Sequence, residues 1–83
     1  MRNKANKNHP FFDRFEQLMA EKGKKGLGIR AVAFYCGVYP DTIRGYKERR
    51  HLPNAEQLEK LADYFNVSTD WLLGRTNRRN YDE

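Results

Sequence analysis

The sequence predicts an all-α fold of five short helices with a helix-turn-helix near its centre. Three observations carry this. Apolar residues recur at helical spacing, first at Phe11 or Phe12, Phe15, Leu18 and Met19, then at Leu58, Leu61, Ala62 and Phe65. No strand pattern and no internal repeat interrupts them. Between these windows, residues 31–47 hold Ala33, Gly37 four positions on, and Ile43 six after the glycine. Two closely crossing helices need a small residue where they touch, here Ala33. The turn between them needs a positive φ, which Gly37 adopts without steric cost. Val38 and Ile43 then fill the wedge.

Taken in order, residues 1–9 read as a flexible basic arm, residues 10–74 as the folded domain and residues 75–83 as a polar tail. Pro10 suits a first helical turn, where its missing N–H costs nothing. Helix one runs over residues 10–22 and Gly23 ends it. Lys24, Lys25, Gly26, Leu27 and Gly28 form a basic loop. Helix two runs from about Gly28 to Cys36, and helix three from about Pro40 to Glu48. Residues 49–53 are a loop. Asn54 with Gln57 three later makes a capping-box pattern that opens helix four, and Asn66 stops it. Ser68 caps a last short helix with Asp70 in its first turn. Trp71, Leu72 and Leu73 are its apolar load, and Gly74 closes it. Tyr46 and the phenylalanines are assigned to the core, and Cys36 is a small packed residue. His9 and His51 read as surface imidazoles.

At 83 residues the chain forms one small domain with a modest core. Its single cysteine excludes an intrachain disulfide, and no Cys/His spacing suggests zinc, which fits a reducing cytoplasm. The N-terminus lacks the apolar stretch of a signal peptide, and no run approaches a membrane span. Neither a nucleophile–base pair nor a phosphate-cradling glycine pattern is present, so neither an enzyme nor a bound cofactor is expected. The net charge of +5 is unevenly placed. Residues 1–10 carry Arg2, Lys4 and Lys7 with no acid. Residues 22–51 carry eight bases against Asp41 and Glu48, whereas residues 54–74 carry four acids against Lys60. The basic side coincides with the helix-turn-helix, as in proteins that draw affinity from the phosphate backbone.

Ala33, Gly37, Val38 and Ile43, with Pro53, Leu58, Leu61, Ala62, Phe65, Val67, Asp70, Leu72 and Leu73, resemble the phage repressor and Cro type (XRE family) of helix-turn-helix domain. The resemblance covers roughly residues 11–74. It implies a compact five-helix, repressor-like DNA-binding domain whose third helix is the recognition helix. On that helix Tyr39, Pro40, Asp41 and Thr42 fall where base edges are faced, with Arg44 and Gly45 following. The loop after it, Glu48, Arg49 and Arg50, falls at phosphate. Three departures stand out. Ile29 replaces a phosphate-gripping glutamine, leaving backbone N–H groups and Arg30 to do that work. Lys47 replaces a common acid. Arg49 stands where a glycine usually takes a left-handed conformation, so either the backbone is strained by roughly 1–2 kcal/mol or the loop is shaped differently.

Arg44 can take guanine O6 and N7 together, or contact phosphate. Thr42 can meet a base edge or face solvent, and Asp41 can accept from cytosine N4 or simply favour the positive end of its helix. Tyr39 can stack on sugar or bond phosphate. Gly45 reads as close backbone approach to DNA or as a tolerated weak helix residue. Lys24, Lys25, Ile29, Arg30, Lys47, Glu48, Arg49 and Arg50 form the phosphate set, and the arm can track a groove. Trp71 and Leu72 are either core or a dimer surface. The expected partner is a double-stranded, palindromic DNA operator bound by a homodimer, with no membrane involved. The expected role is that of a phage or bacterial repressor in the cytoplasm. The alternative is a protein-interaction module, such as an antitoxin or an anti-repressor partner.

Overall fold

Each helix in this chain is so short that its ends decide its direction. The computed structural model describes residues 7–23 and 28–80. Readings that fall on residues 1–6, 24–27 and 81–83, Lys24 and Lys25 among them, lie outside the described residues. The helices are α1 (Pro10–Gly23), α2 (Ile29–Cys36), α3 (Pro40–Lys47), α4 (Ala55–Phe65) and α5 (Thr69–Leu72). These bounds follow the sequence reading to within a residue or two, and no strand occurs among the described residues.

The starts are capped from within the sequence. Nδ1 of His9 accepts from the N–H of Phe11 at 3.0 Å, so His9 opens α1 and is more than a surface imidazole. Asn54 Oδ1 accepts from the Gln57 N–H at 2.8 Å, and Ser68 Oγ from the Trp71 N–H at 3.0 Å. The return half of the expected capping box is replaced: Gln57 Nε2 turns to the carbonyl of Cys36 at the end of α2, 3.5 Å away.

Helices α2 to α5 share one ending. In each, a left-handed residue follows the helix, its N–H donates three residues back, and the next N–H donates five residues back. After α2 the left-handed residue is Gly37 (φ 74°), with Gly37 bonded to Phe34 and Val38 to Ala33. After α4 it is Asn66 (φ 59°), and after α5 it is Gly74 (φ 79°). After α3 it is Arg49 (φ 62°), with Arg49 bonded to Tyr46 and Arg50 to Gly45. The backbone therefore keeps the shape that glycine usually provides, and the non-glycine residue bears the steric cost of the left-handed region.

The Arg49 side chain holds that turn. Its guanidinium donates to Asp13 at 2.8 Å, to Glu16 at 2.9 Å and to the carbonyl of Lys7 at 2.8 Å. It also lies over the Phe12 ring, 5.8 Å from the centroid. Hydrogen bonds to Asp13 and Glu16 hold its proton more tightly than usual. Arg49 thus ties the end of α3 to the first half of α1.

Beneath this clamp lies the core. Phe11 and Phe15 of α1 stack, and Tyr46 of α3 meets both edge-on at 6.0 and 6.1 Å. Phe65 of α4 meets Phe15 at 6.1 Å. Val32, Ala33 and Cys36 from α2 and Ile43 from α3 complete the crossing. Burial pushes the Cys36 thiol above its ordinary range, with Lys60 opposing, as expected of a packed neutral side chain.

Of the two alternatives for Trp71 and Leu72, core or dimer surface, their near-complete burial within a single chain matches the core. Residues 75–80 are more than the expected polar tail. Arg79 stacks on the Trp71 ring at 4.7 Å and forks onto Glu21 at 2.6 and 3.1 Å, while Arg14 stacks on the indole at 4.5 Å. Arg14 also donates to Asn77, and Ser68 bonds the carbonyls of Arg78 and Arg79. The segment covers Trp71 because the indole offers a wide flat face to guanidinium groups.

Two outcomes follow from these contacts. Arg49→Ala loses the clamp and keeps a side chain in the left-handed region, whereas Arg49→Gly loses the clamp and relieves the backbone. In urea melts the glycine variant is expected to be the more stable of the two by about 1 kcal/mol. Arg79→Ala removes one of the two guanidinium groups on the Trp71 ring and the Glu21 fork. It is expected to cost about 1 kcal/mol and to lower the melting temperature by about 4–8 °C.

Candidate nucleic-acid interface

The amphipathic split of α3 sets the candidate surface. Ile43 and Tyr46 are buried against α1 and α2, which leaves Asp41, Arg44 and Lys47 exposed. Burying such side chains stabilises the fold by roughly 1.5–3 kcal/mol each, enough to fix which way an eight-residue helix faces. Tyr39 caps α3 in an extended conformation and is 83% exposed. Pro40 is the first helical residue and Thr42 is half-buried. The Tyr39, Asp41, Thr42 and Arg44 positions thus share the start of one helix.

Charges on this face are organised. Asp41 Oδ1 lies 3.7 Å from Arg44 Nη1 and 3.7 Å from Arg50 Nη2. Arg50 Nε also pairs with Glu48 at 3.1 Å. Arg50 therefore folds back from the loop along α3 to its first turn. Glu48 is an anion, and its charge is spent on the arginine it holds.

The start of α2 adds a second feature. Gly28 offers no side-chain cap and the first turn contains no acid. Among the described residues, the early N–H groups of α2 at Ile29 and Arg30 thus meet no side-chain cap, and they carry the partial positive charge of a helix N-terminus. Ile29 itself packs against the core, so any role at phosphate falls to its N–H. Arg30 and Lys47 are exposed, with no ion-pair partner among the described residues. The structure brings Arg30, Arg44, Lys47 and Arg50 onto α2, α3 and the turn after it.

Three residues depart from the sequence expectation. Gly45 is buried, and a Cβ there would overlap the imidazole of His51, whose ring meets Tyr46 at 5.1 Å. Gly45 makes room for a side chain of its own chain and is withdrawn from the base-reading set. Arg49 is committed to Asp13 and Glu16 as described above, which removes it from the phosphate set. Phe34 is 89% exposed on α2 and is not core. The helical period set by Ile29, Val32, Ala33 and Cys36 already places position 34 off the buried stripe, so that signal was in the sequence.

Replacement of Gly45 checks the His51 contact. In the wild-type background, Gly45→Ala gains about 1 kcal/mol of helix propensity but displaces His51, so melts are expected to move by less than about 0.5 kcal/mol. In a His51→Ala background the same change is expected to stabilise by about 1 kcal/mol.

The comparisons with known proteins agree with this geometry. The family model for the helix-turn-helix matches residues 18–72. The HTH-type transcriptional regulator AnsR of Bacillus subtilis (strain 168) is 31% identical over 64 residues, which cover 77% of this chain. The chain spans 55% of that relative's length. No solved structure gives a significant match. With α2, the Gly37 turn and α3 inside the matched span, the chain belongs to the helix-turn-helix family of the phage repressor and Cro (XRE) type.

Proposed function

We propose that this protein is a sequence-specific double-stranded DNA-binding regulator of transcription, a phage or bacterial repressor that reads the major groove with α3. The observation that carries the reading is the exposed start of α3, where Tyr39, Asp41, Thr42 and Arg44 stand on a helix whose underside is locked by Ile43 and Tyr46. Tyr39 and Thr42 meet sugar or base edges, Pro40 lies against the groove, and Arg44 takes a guanine through O6 and N7. Arg30, Lys47, Arg50 and the N–H groups at the start of α2 hold phosphate, with Lys24 and Lys25, which precede α2 in the sequence, adding to that charge. Two copies bind a palindromic operator with their recognition helices roughly 34 Å apart, one turn of DNA. Binding then blocks or alters promoter access. The similarity to a transcriptional regulator supports the assignment.

A protein-interaction role draws on one observation, the exposed ring of Phe34 on α2. That role leaves the function unchanged when Arg44 becomes alanine.

Selection from random duplex DNA at moderate salt is expected to enrich a two-fold symmetric motif. Absence of any enriched motif overturns the reading. With about six phosphate contacts per bound protein, the log–log salt slope is expected near −5. Arg44→Ala is expected to cost roughly 1–3 kcal/mol on the selected site and to relax preference at one base pair. Lys47→Ala is expected to weaken all sequences alike and to flatten the slope by about 1.

A further inference from the structure

Asp41 is the one acid on α3, and it sits among the cations expected to meet DNA. Its carboxylate is exposed and lies between two guanidinium groups, Arg44 one turn along the same helix and Arg50 returning from the loop. Glu48 holds the far side of Arg50 at 3.1 Å. An acid in the first turn favours the positive end of α3, but exposed ion pairs at such distances add little to folding stability, so stability does not account for two arginines converging on it. A negative charge on this face also lowers affinity for any duplex, because it faces phosphate.

We propose that Asp41 is a specificity-determining residue that acts through Arg44 and Arg50, withholding them from phosphate on non-cognate DNA and orienting Arg44 on its cognate base. The inference rests on the DNA-binding reading above. An arginine has five N–H donors in a fixed fork. Arg44 can keep one edge on Asp41 while two other donors meet guanine O6 and N7, so the carboxylate costs little at the cognate site. On other sequences no base edge takes the fork. Phosphate is then the remaining acceptor, and reaching it means breaking the Asp41 pair and bringing two anions together. Asp41 thus lowers non-specific binding more than specific binding, and it fixes a long side chain that otherwise samples many rotamers. Direct reading of cytosine by Asp41 is a different role, and the test below separates the two.

The test uses the full chain, Asp41→Asn and Asp41→Glu, with fluorescence anisotropy on the selected duplex and on a scrambled duplex across a salt series. For Asp41→Asn, affinity for the scrambled duplex is expected to rise about three- to tenfold. Affinity for the selected duplex is expected to change by less than about twofold, so the specificity ratio falls. The scrambled-duplex slope is expected to steepen by about 1 as an arginine is freed for phosphate. Asp41→Glu, which keeps the charge, is expected to recover part of the ratio. An unchanged ratio, with both affinities rising together, overturns the proposal and leaves the DNA-binding reading standing. A loss confined to the selected duplex also overturns it, in favour of direct base contact by Asp41. Wild-type protein that shows no preference between the duplexes overturns the reading beneath it as well. A change in melting temperature alone, with the ratio intact, marks a helix-end role and counts against the proposal.

Discussion

The fold depends on reversing a chain of very short helices four times in the same way, each time through one residue with positive φ. Gly37, Arg49, Asn66 and Gly74 each end a helix, and each lets two N–H groups reach back to carbonyls that would otherwise have no partner. Glycine meets that demand freely and asparagine tolerates it. Arginine does neither, and the carboxylates of Asp13 and Glu16 hold it there from another helix. The turn that follows α3 is thus maintained by a side-chain contact across the molecule, and the angle of α3 relative to α1 is coupled to that contact.

The two faces of α3 answer to different requirements. Its inner face is settled by Ile43 and by Tyr46, which rides on the rings of Phe11 and Phe15. Its outer face carries charges that cancel locally through Asp41 and Glu48, so the basic half of the domain is less freely cationic than its composition suggests. Arg50 links the two demands. Its N–H closes the turn onto Gly45 and its guanidinium returns over the outer face. A change at the turn therefore alters both the end of the helix and the charge in front of it.

What could be read from the sequence was what depends on near neighbours. The caps of Asn54 and Ser68, the stop at Asn66 and the Ala33–Gly37–Ile43 crossing all rest on residues a few positions apart, where spacing and chemistry settle geometry. The contacts that escaped join distant positions. Arg49 reaches Asp13 and Glu16, 36 and 33 residues away, and Arg79 reaches Glu21 across 58 residues. No local pattern records such a partner. Gly45 belongs with them, because its use is defined by the ring of His51. Phe34 is a different case. Its periodicity puts it outside, against its apolar character, and the periodicity prevails. Of the candidate site, the segment was legible and the pairing of its charges was not.

The docked segment after α5 has a practical side. The chain has a single tryptophan, and the Trp71 ring carries guanidinium groups from α1 and from residue 79. Its fluorescence is therefore a built-in reporter of whether that segment is seated on α1. Neither stacked cation belongs to α2 or α3. A change in emission on adding a ligand would report a rearrangement at the back of the domain, carried there through the packed core.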